Sequence, residues 1–148
     1  MKTLRLICLL ACVVAGFTTN TYAADRARIQ GILLSASNDP GETDRRLAAY
    51  EPTLKRILRF ESYRFLGDDS AALAVSETGH LSLGNEHQME ILTERADASG
   101  IHVRVRWTQG GRTLMNTGLT LRPGVPAVLG GPSTGKKGEV YAVIVIGH

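Results

Sequence analysis

Val140-Tyr141-Ala142-Val143-Ile144-Val145-Ile146 closes the chain with a run that is apolar in both alternation phases. Side chains of a strand point alternately to its two faces, so a run apolar in both belongs where both faces are covered, at the centre of a sheet. Ile29-Gln30-Gly31-Ile32-Leu33-Leu34-Ser35-Ala36-Ser37 reads the same way near the other end. Two doubly buried strands in one small chain have one economical arrangement, side by side in the core. The segments between them decide what covers each face.

After the turn chemistry of Asn38-Asp39-Pro40-Gly41, Leu47, Tyr50, Leu54, Ile57 and Leu58 recur at three- and four-residue spacing, one stripe of a helix. Thr43 or Asp44 caps its start by accepting a backbone N–H. Pro52 removes a helical hydrogen bond and crowds the preceding turn. The segment is therefore kinked there, or is two short helices with Pro52 in the first turn of the second. Arg45, Arg46, Lys55, Arg56 and Arg59 fall mostly outside the stripe and read as a solvated face.

From Ser62 the pattern is β. Tyr63, Phe65 and Ala71 to Val75 read as two short strands around Gly67-Asp68-Asp69, and Gly79 to Leu83 as another. His87 to Ala96 and Ile101 to Thr108 flank Asp97-Ala98-Ser99-Gly100, a hairpin in which Gly100 takes a left-handed position. A three-residue loop Ala98-Ser99-Gly100 sets Glu94 opposite Arg104, Thr93 opposite Val105 and Ile91 opposite Trp107. Val103, Val105 and Trp107 then face inward and His102, Arg104 and Arg106 outward. Gly110-Gly111 turns into Arg112 to Leu121, and Pro123-Gly124 into Val125 to Leu129. The expected fold class is α+β, a mostly antiparallel β-sheet or sandwich of about eight or nine strands with one helical segment.

The first 23 residues read as an export signal and the remaining 125 as a single domain. Lys2 and Arg5 form a basic start, Leu6 to Phe17 an apolar core, and Thr21-Tyr22-Ala23 a small-residue cleavage site before Ala24. The apolar core is short of the roughly 20 residues that span a bilayer, so no transmembrane anchor is expected. Leu9-Leu10-Ala11-Cys12 loosely follows a lipoprotein pattern, yet Val13 to Phe17 continue the apolar run where a polar tether belongs. Periplasmic or secreted localisation follows, and it excludes cytosolic chemistry such as ATP hydrolysis or NAD-linked redox.

Cleavage removes both cysteines, Cys8 and Cys12, leaving no disulfide, thiol nucleophile or thiolate metal site in the mature chain. It also removes two of the 17 basic residues against 14 acidic ones, so the net charge falls from +3 to +1. Near-neutrality argues against nucleic-acid binding.

Four features invite a chemical reading. Gly130-Gly131-Pro132-Ser133-Thr134-Gly135-Lys136 fits G-x-x-x-x-G-K, but Lys137 stands where a phosphate-binding loop needs Ser or Thr, and a strand follows instead of a helix. Nucleotide binding is therefore not expected, and a Gly-rich connection from Gly130 to Gly138 is; Lys136 and Lys137 are retained as contacts for an anion or a partner. Arg104 and Arg106 join them, although Glu90 and Glu94 on the neighbouring strand offset their charge. His80, His87, His102 and His148 show no metal-ligand spacing, so neither metal nor cofactor is expected. Ser35 and Ser37 at a strand end, with Asp39 and Asp44 following, sketch a Ser/His/Asp-type hydrolase, but there is no G-x-S-x-G elbow and no histidine placed as a base.

Ile32-Leu33-Leu34-Ser35-Ala36-Ser37-Asn38, then Arg59-Phe60 with Ser62-Tyr63-Arg64, then Leu129-Gly130-Gly131-Pro132, resembles small exported bacterial proteins of uncharacterised function. The resemblance implies an envelope or secreted setting and carries no activity or site. The expected function is a non-enzymatic accessory or binding domain that contacts an envelope protein. A periplasmic hydrolase, or a structural subunit of a pilus or secretion assembly, is the alternative.

Overall fold

Strands β1 (Ala27–Ser37) and β8 (Glu139–Gly147) pair antiparallel from Ile29 opposite Gly147 to Ser37 opposite Glu139. The computed structural model describes residues 26–148; the export signal lies outside the described residues. β2 (Ser62–Leu73) joins the free side of β1 and β7 (Ala127–Ser133) that of β8, giving a first sheet in the order β2-β1-β8-β7. A second sheet runs β3 (Thr78–Gly84), β4 (His87–Asp97), β5 (Gly100–Gln109), β6 (Arg112–Leu121). All pairings are antiparallel. The described residues form an α+β sandwich of eight strands with one α-helix.

The doubly apolar strands are covered on both faces. Ile29, Leu33, Val143 and Val145 pack against Leu81, Met89, Ile91, Val103, Val105 and Trp107 of the second sheet. Ile32, Leu34, Ala36, Ala142, Ile144 and Ile146 pack against Leu47, Leu54 and Tyr63. Each fully buried Leu, Ile or Val contributes about 1.5–3 kcal/mol, so these two strands are the main source of the core's stability.

The helical segment is two pieces. Asp44 caps a 3-10 turn, Arg45–Leu47, by accepting the Arg46 N–H at 3.0 Å. The Arg46 guanidinium, 2.9 Å away, holds the Asp44 carboxyl down at about 2. Helix α1 (Glu51–Leu58) follows with Pro52 in its first turn, where a missing N–H costs nothing. Arg59 ends it in the left-handed region, φ 57°. Leu47 and Leu54 are buried, but Ile57 is 47% exposed and drops out of the expected stripe, because a helix this short buries little more than one turn.

Three expectations need correction. First, Gly67-Asp68-Asp69 does not divide two strands: β2 is continuous with a bulge between Phe65 and Gly67. The extra residue switches faces, so Tyr63 and Phe65 pack on the helix side and Ala71 and Leu73 between the sheets. Asp69 is part of that strand, accepting the Ser82 N–H of β3 at 3.0 Å.

Second, the hairpin loop is the two residues Ala98-Ser99, and Asp97 faces Gly100. The Asp97 carboxylate accepts the Ser99 N–H at 2.9 Å and tightens the turn. Gly100 takes φ +133°, outside the expected left-handed helical region. A bulge between Thr93 and Arg95 restores the facing, so Ile91 meets Val105 and Met89 meets Trp107. Glu94 and Arg104 nonetheless meet on the outer face at 3.0 Å.

Third, the Gly-rich stretch is not all connection, because β7 runs through Ser133. A Cβ on Gly131 would lie 2.3 Å from the Trp107 ring, so its backbone rests on that ring.

Candidate functional site

The inner face of β1 changes character along its length. Ile29 and Leu33 are core; the next two residues on that face are Ser35 and Ser37. The second sheet stops at this point, at the β3–β4 turn, where Asn85 and Glu86 both take positive φ as a two-residue hairpin requires. Beyond it the first sheet continues past the second sheet. Cross-strand register sets Arg64 and Tyr141 on either side of Ser35, and Ser62 and Glu139 on either side of Ser37. Short hydroxyl residues on the middle strand between longer neighbours make a trough.

The trough opens into two hollows of about 330 and 220 Å³ that share Ser35, Arg64, Lys136 and Glu139. Asp39 and Glu42 line the larger, Asn85 and Tyr141 the smaller. Local bonds fix the loop that carries Lys136: Thr134 Oγ1 donates to Glu139 Oε1 at 2.9 Å, and the Gly135 N–H to Ser133 Oγ at 3.1 Å. The Asn38 N–H donates to the Gly138 carbonyl at 3.0 Å, tying the loop to the exit of β1. Among the described residues neither Arg64 nor Lys136 is paired with a carboxylate.

Of the four basic residues singled out in the sequence, only Lys136 enters this trough; Lys137 is exposed and outside its lining. Arg104 and Arg106 lie on the outer face of the second sheet, 3.0 Å from Glu94 and 3.3 Å from Glu90. Exposed pairs of this kind are worth little. Glu94→Ala should cost less than about 1 kcal/mol in a denaturant titration; a larger loss would mean that the pair holds the hairpin register.

Ser35, Ser37 and Asp39 do share the trough, but its lining contains no histidine. Ser37 Oγ is engaged by the Asp39 N–H at 3.1 Å. His102 lies elsewhere, on the outer face, with its Nε2 3.1 Å from both Asp97 and Ser99 and its Nδ1 3.0 Å from Thr120 Oγ1. Ser99 and Asp97 share one ring nitrogen and bond each other, so the imidazole does not stand between them as a relay would require. The cavity beside that turn is lined by neither His102 nor Thr120. The cluster ties the hairpin turn to β6. Among the described residues no three His, Cys, Asp or Glu side chains gather as metal ligands.

His87, read as the start of a strand, is fully buried behind the trough. The Trp107 Nε1–H donates to its Nδ1 at 2.9 Å, so the ring proton sits on Nε2, which has no partner among the described residues. Its ring meets Tyr141 edge-on at 4.4 Å. Burial disfavours the imidazolium and lowers the His87 pKa below 6.5. The unfolded chain takes up this proton near 6.5, the folded one only at lower pH. Stability is therefore full above about 6.5 and falls as pH drops through the window between the two values. Thermal melts of the wild type should show that decline between pH 7 and 5, and His87→Asn, which keeps an acceptor facing Trp107, should flatten it; an unchanged slope would assign the decline to other groups.

Comparison with protein-family models, with curated proteins and with solved structures gives no match. The functional reading therefore rests on the geometry of this chain.

Proposed function

We propose that the mature chain is an exported, non-enzymatic binding domain of the bacterial cell envelope, and that it contacts a partner protein by accepting a strand at β6. The observation that carries this reading is the state of the sheet edges. A bare edge presents unpaired N–H and C=O groups that template another strand, and proteins usually blunt it. β2 and β3 close one side of the sandwich against each other, with the Gly67 backbone on the Leu83 carbonyl. β7 is interrupted by Gly130-Gly131-Pro132 and a bulge. β6 is ten residues long, pairs among the described residues only with β5, and carries no charge and no proline from Thr113 to Leu121. Main-chain bonds along such an edge supply affinity, and alternate side chains supply selectivity. Arg104 and Arg106, one strand in, would form the polar rim of the contact.

Among the described residues no helix is long and apolar enough to cross a membrane. The export signal and the resemblance to small exported bacterial proteins supply the compartment in this reading. The same edge also suits a subunit of a pilus or secretion assembly, in which the added strand comes from another copy.

Lysines placed at Asn116 and Gly118 test the reading. Asn116 and Gly118 are exposed on the outer side of β6, and a Cβ at Gly118 meets nothing closer than 3.9 Å. Each lysine faces an arginine across the strands, Arg106 and Arg104, so the double variant should fold with a slightly lowered melting temperature and lose the partner that the wild type captures from native envelope. Equal capture by both proteins would remove the β6 contact. Size-exclusion chromatography separates the two partner types, because self-assembly changes the elution of the purified protein alone.

A further inference from the structure

The trough carries a second, independent inference. Ser35 is only 7% exposed and its hydroxyl looks into the trough from the floor. Arg64 and Lys136 stand exposed at the junction of the two hollows, without a carboxylate partner among the described residues. Guanidinium, ammonium and hydroxyl donors converging on one place fit a carboxylate, and the planar fork of Arg64 suits it bidentately.

The charge of the lining is not uniform. The smaller hollow has Arg64 and Lys136 against Glu139, whereas Asp39 and Glu42 add two further carboxylates to the larger. In the larger hollow a simple anion would meet Asp39, Glu42 and Glu139, and a simple cation would meet Arg64 and Lys136. A molecule with both charges satisfies the two ends. We infer that this trough binds a small dipolar ligand of the free amino-acid or short-peptide type. Its carboxylate lies on Arg64, Lys136 and Ser35, and its ammonium group points toward Asp39 and Glu42. Hollows of about 330 and 220 Å³ suit a ligand of that size.

Isothermal titration of the purified protein with glycylglycine and triglycine is the test. At least one should bind saturably at up to about 10 mM. Arg64→Gln should weaken that binding about tenfold or more, the scale of one charged hydrogen bond. Ser35→Ala should weaken it less, and Lys137→Gln, outside the lining, should leave it unchanged. Acetate and ethylammonium, the two halves, should each bind more weakly than the dipolar probe. No saturable heat with either peptide overturns the inference, as does an Arg64→Gln variant that binds like the wild type. Acetate binding as tightly as the peptides overturns the dipolar assignment. The Asn116→Lys, Gly118→Lys double variant should titrate normally, so failure here and failure of the β6 contact are separable.

Discussion

Trp107→Ala should lower the unfolding free energy by about 3–5 kcal/mol, the cost of deleting a large buried aromatic. Three features put this residue at the upper end. Its ring is fully buried between the sheets, it underlies the backbone of Gly131 in β7, and its Nε1–H is the partner of His87 Nδ1. Deletion leaves a cavity and also an unpaired acceptor in the core, two separate penalties. The check is the midpoint of a denaturant titration, with Trp107→Phe as comparison: it refills part of the volume but still orphans His87. A loss below about 1 kcal/mol for Trp107→Ala would mean that the sheets do not close over this ring.

The second large effect is at Gly67. A single methyl added there would sit 2.0 Å from the Leu83 carbonyl oxygen, a backbone atom that a rotamer change cannot move. Gly67→Ala must push β2 from β3 at the closed side of the sandwich, where the bulge hands the strand from one layer to the other. A loss on the order of 3 kcal/mol, the top of the overpacking range, is expected. Gly111→Ala is the control: nothing lies within 4 Å of its added Cβ, although its φ of 82° makes some strain unavoidable. If both substitutions cost the same, the close approach of β2 to β3 is not what requires glycine at position 67.

These two positions also mark where the sequence was readable and where it was not. Local alternation placed Trp107 inward and Arg104 outward, because a strand's period of two needs no knowledge of its partner. The pairing of β1 with β8 followed from runs apolar in both phases; Pro52 signalled a kink or a split and Thr43 or Asp44 a cap, and only the fold selects the split and Asp44. Bulges defeated the rest. One extra residue after Phe65 carries β2 through Gly67-Asp68-Asp69, which has the composition of a turn. A hairpin loop one residue shorter than expected, together with an extra residue at Glu94, moves Ile91 from Trp107 to Val105.

The trough was legible only in part. Ser35 and Ser37 alternating with Leu34 and Ala36 signal one polar and one apolar face at the end of β1. Arg64, Tyr141 and Lys136 come to them from segments far apart in the chain, through pairings that alternation alone does not specify. His87 gave no signal. Its role as acceptor for Trp107, 20 residues on, exists only once β4 and β5 are in register.

The most direct measurement on the β6 contact is amide hydrogen exchange, free and with the captured envelope partner. The free protein should show slow exchange in β1 and β8, buried on both faces, and faster exchange at the outward-facing amides between Thr113 and Leu121. Adding the partner should slow those β6 amides selectively. Unchanged β6 exchange, with new protection confined to another surface, would contradict strand addition at this edge.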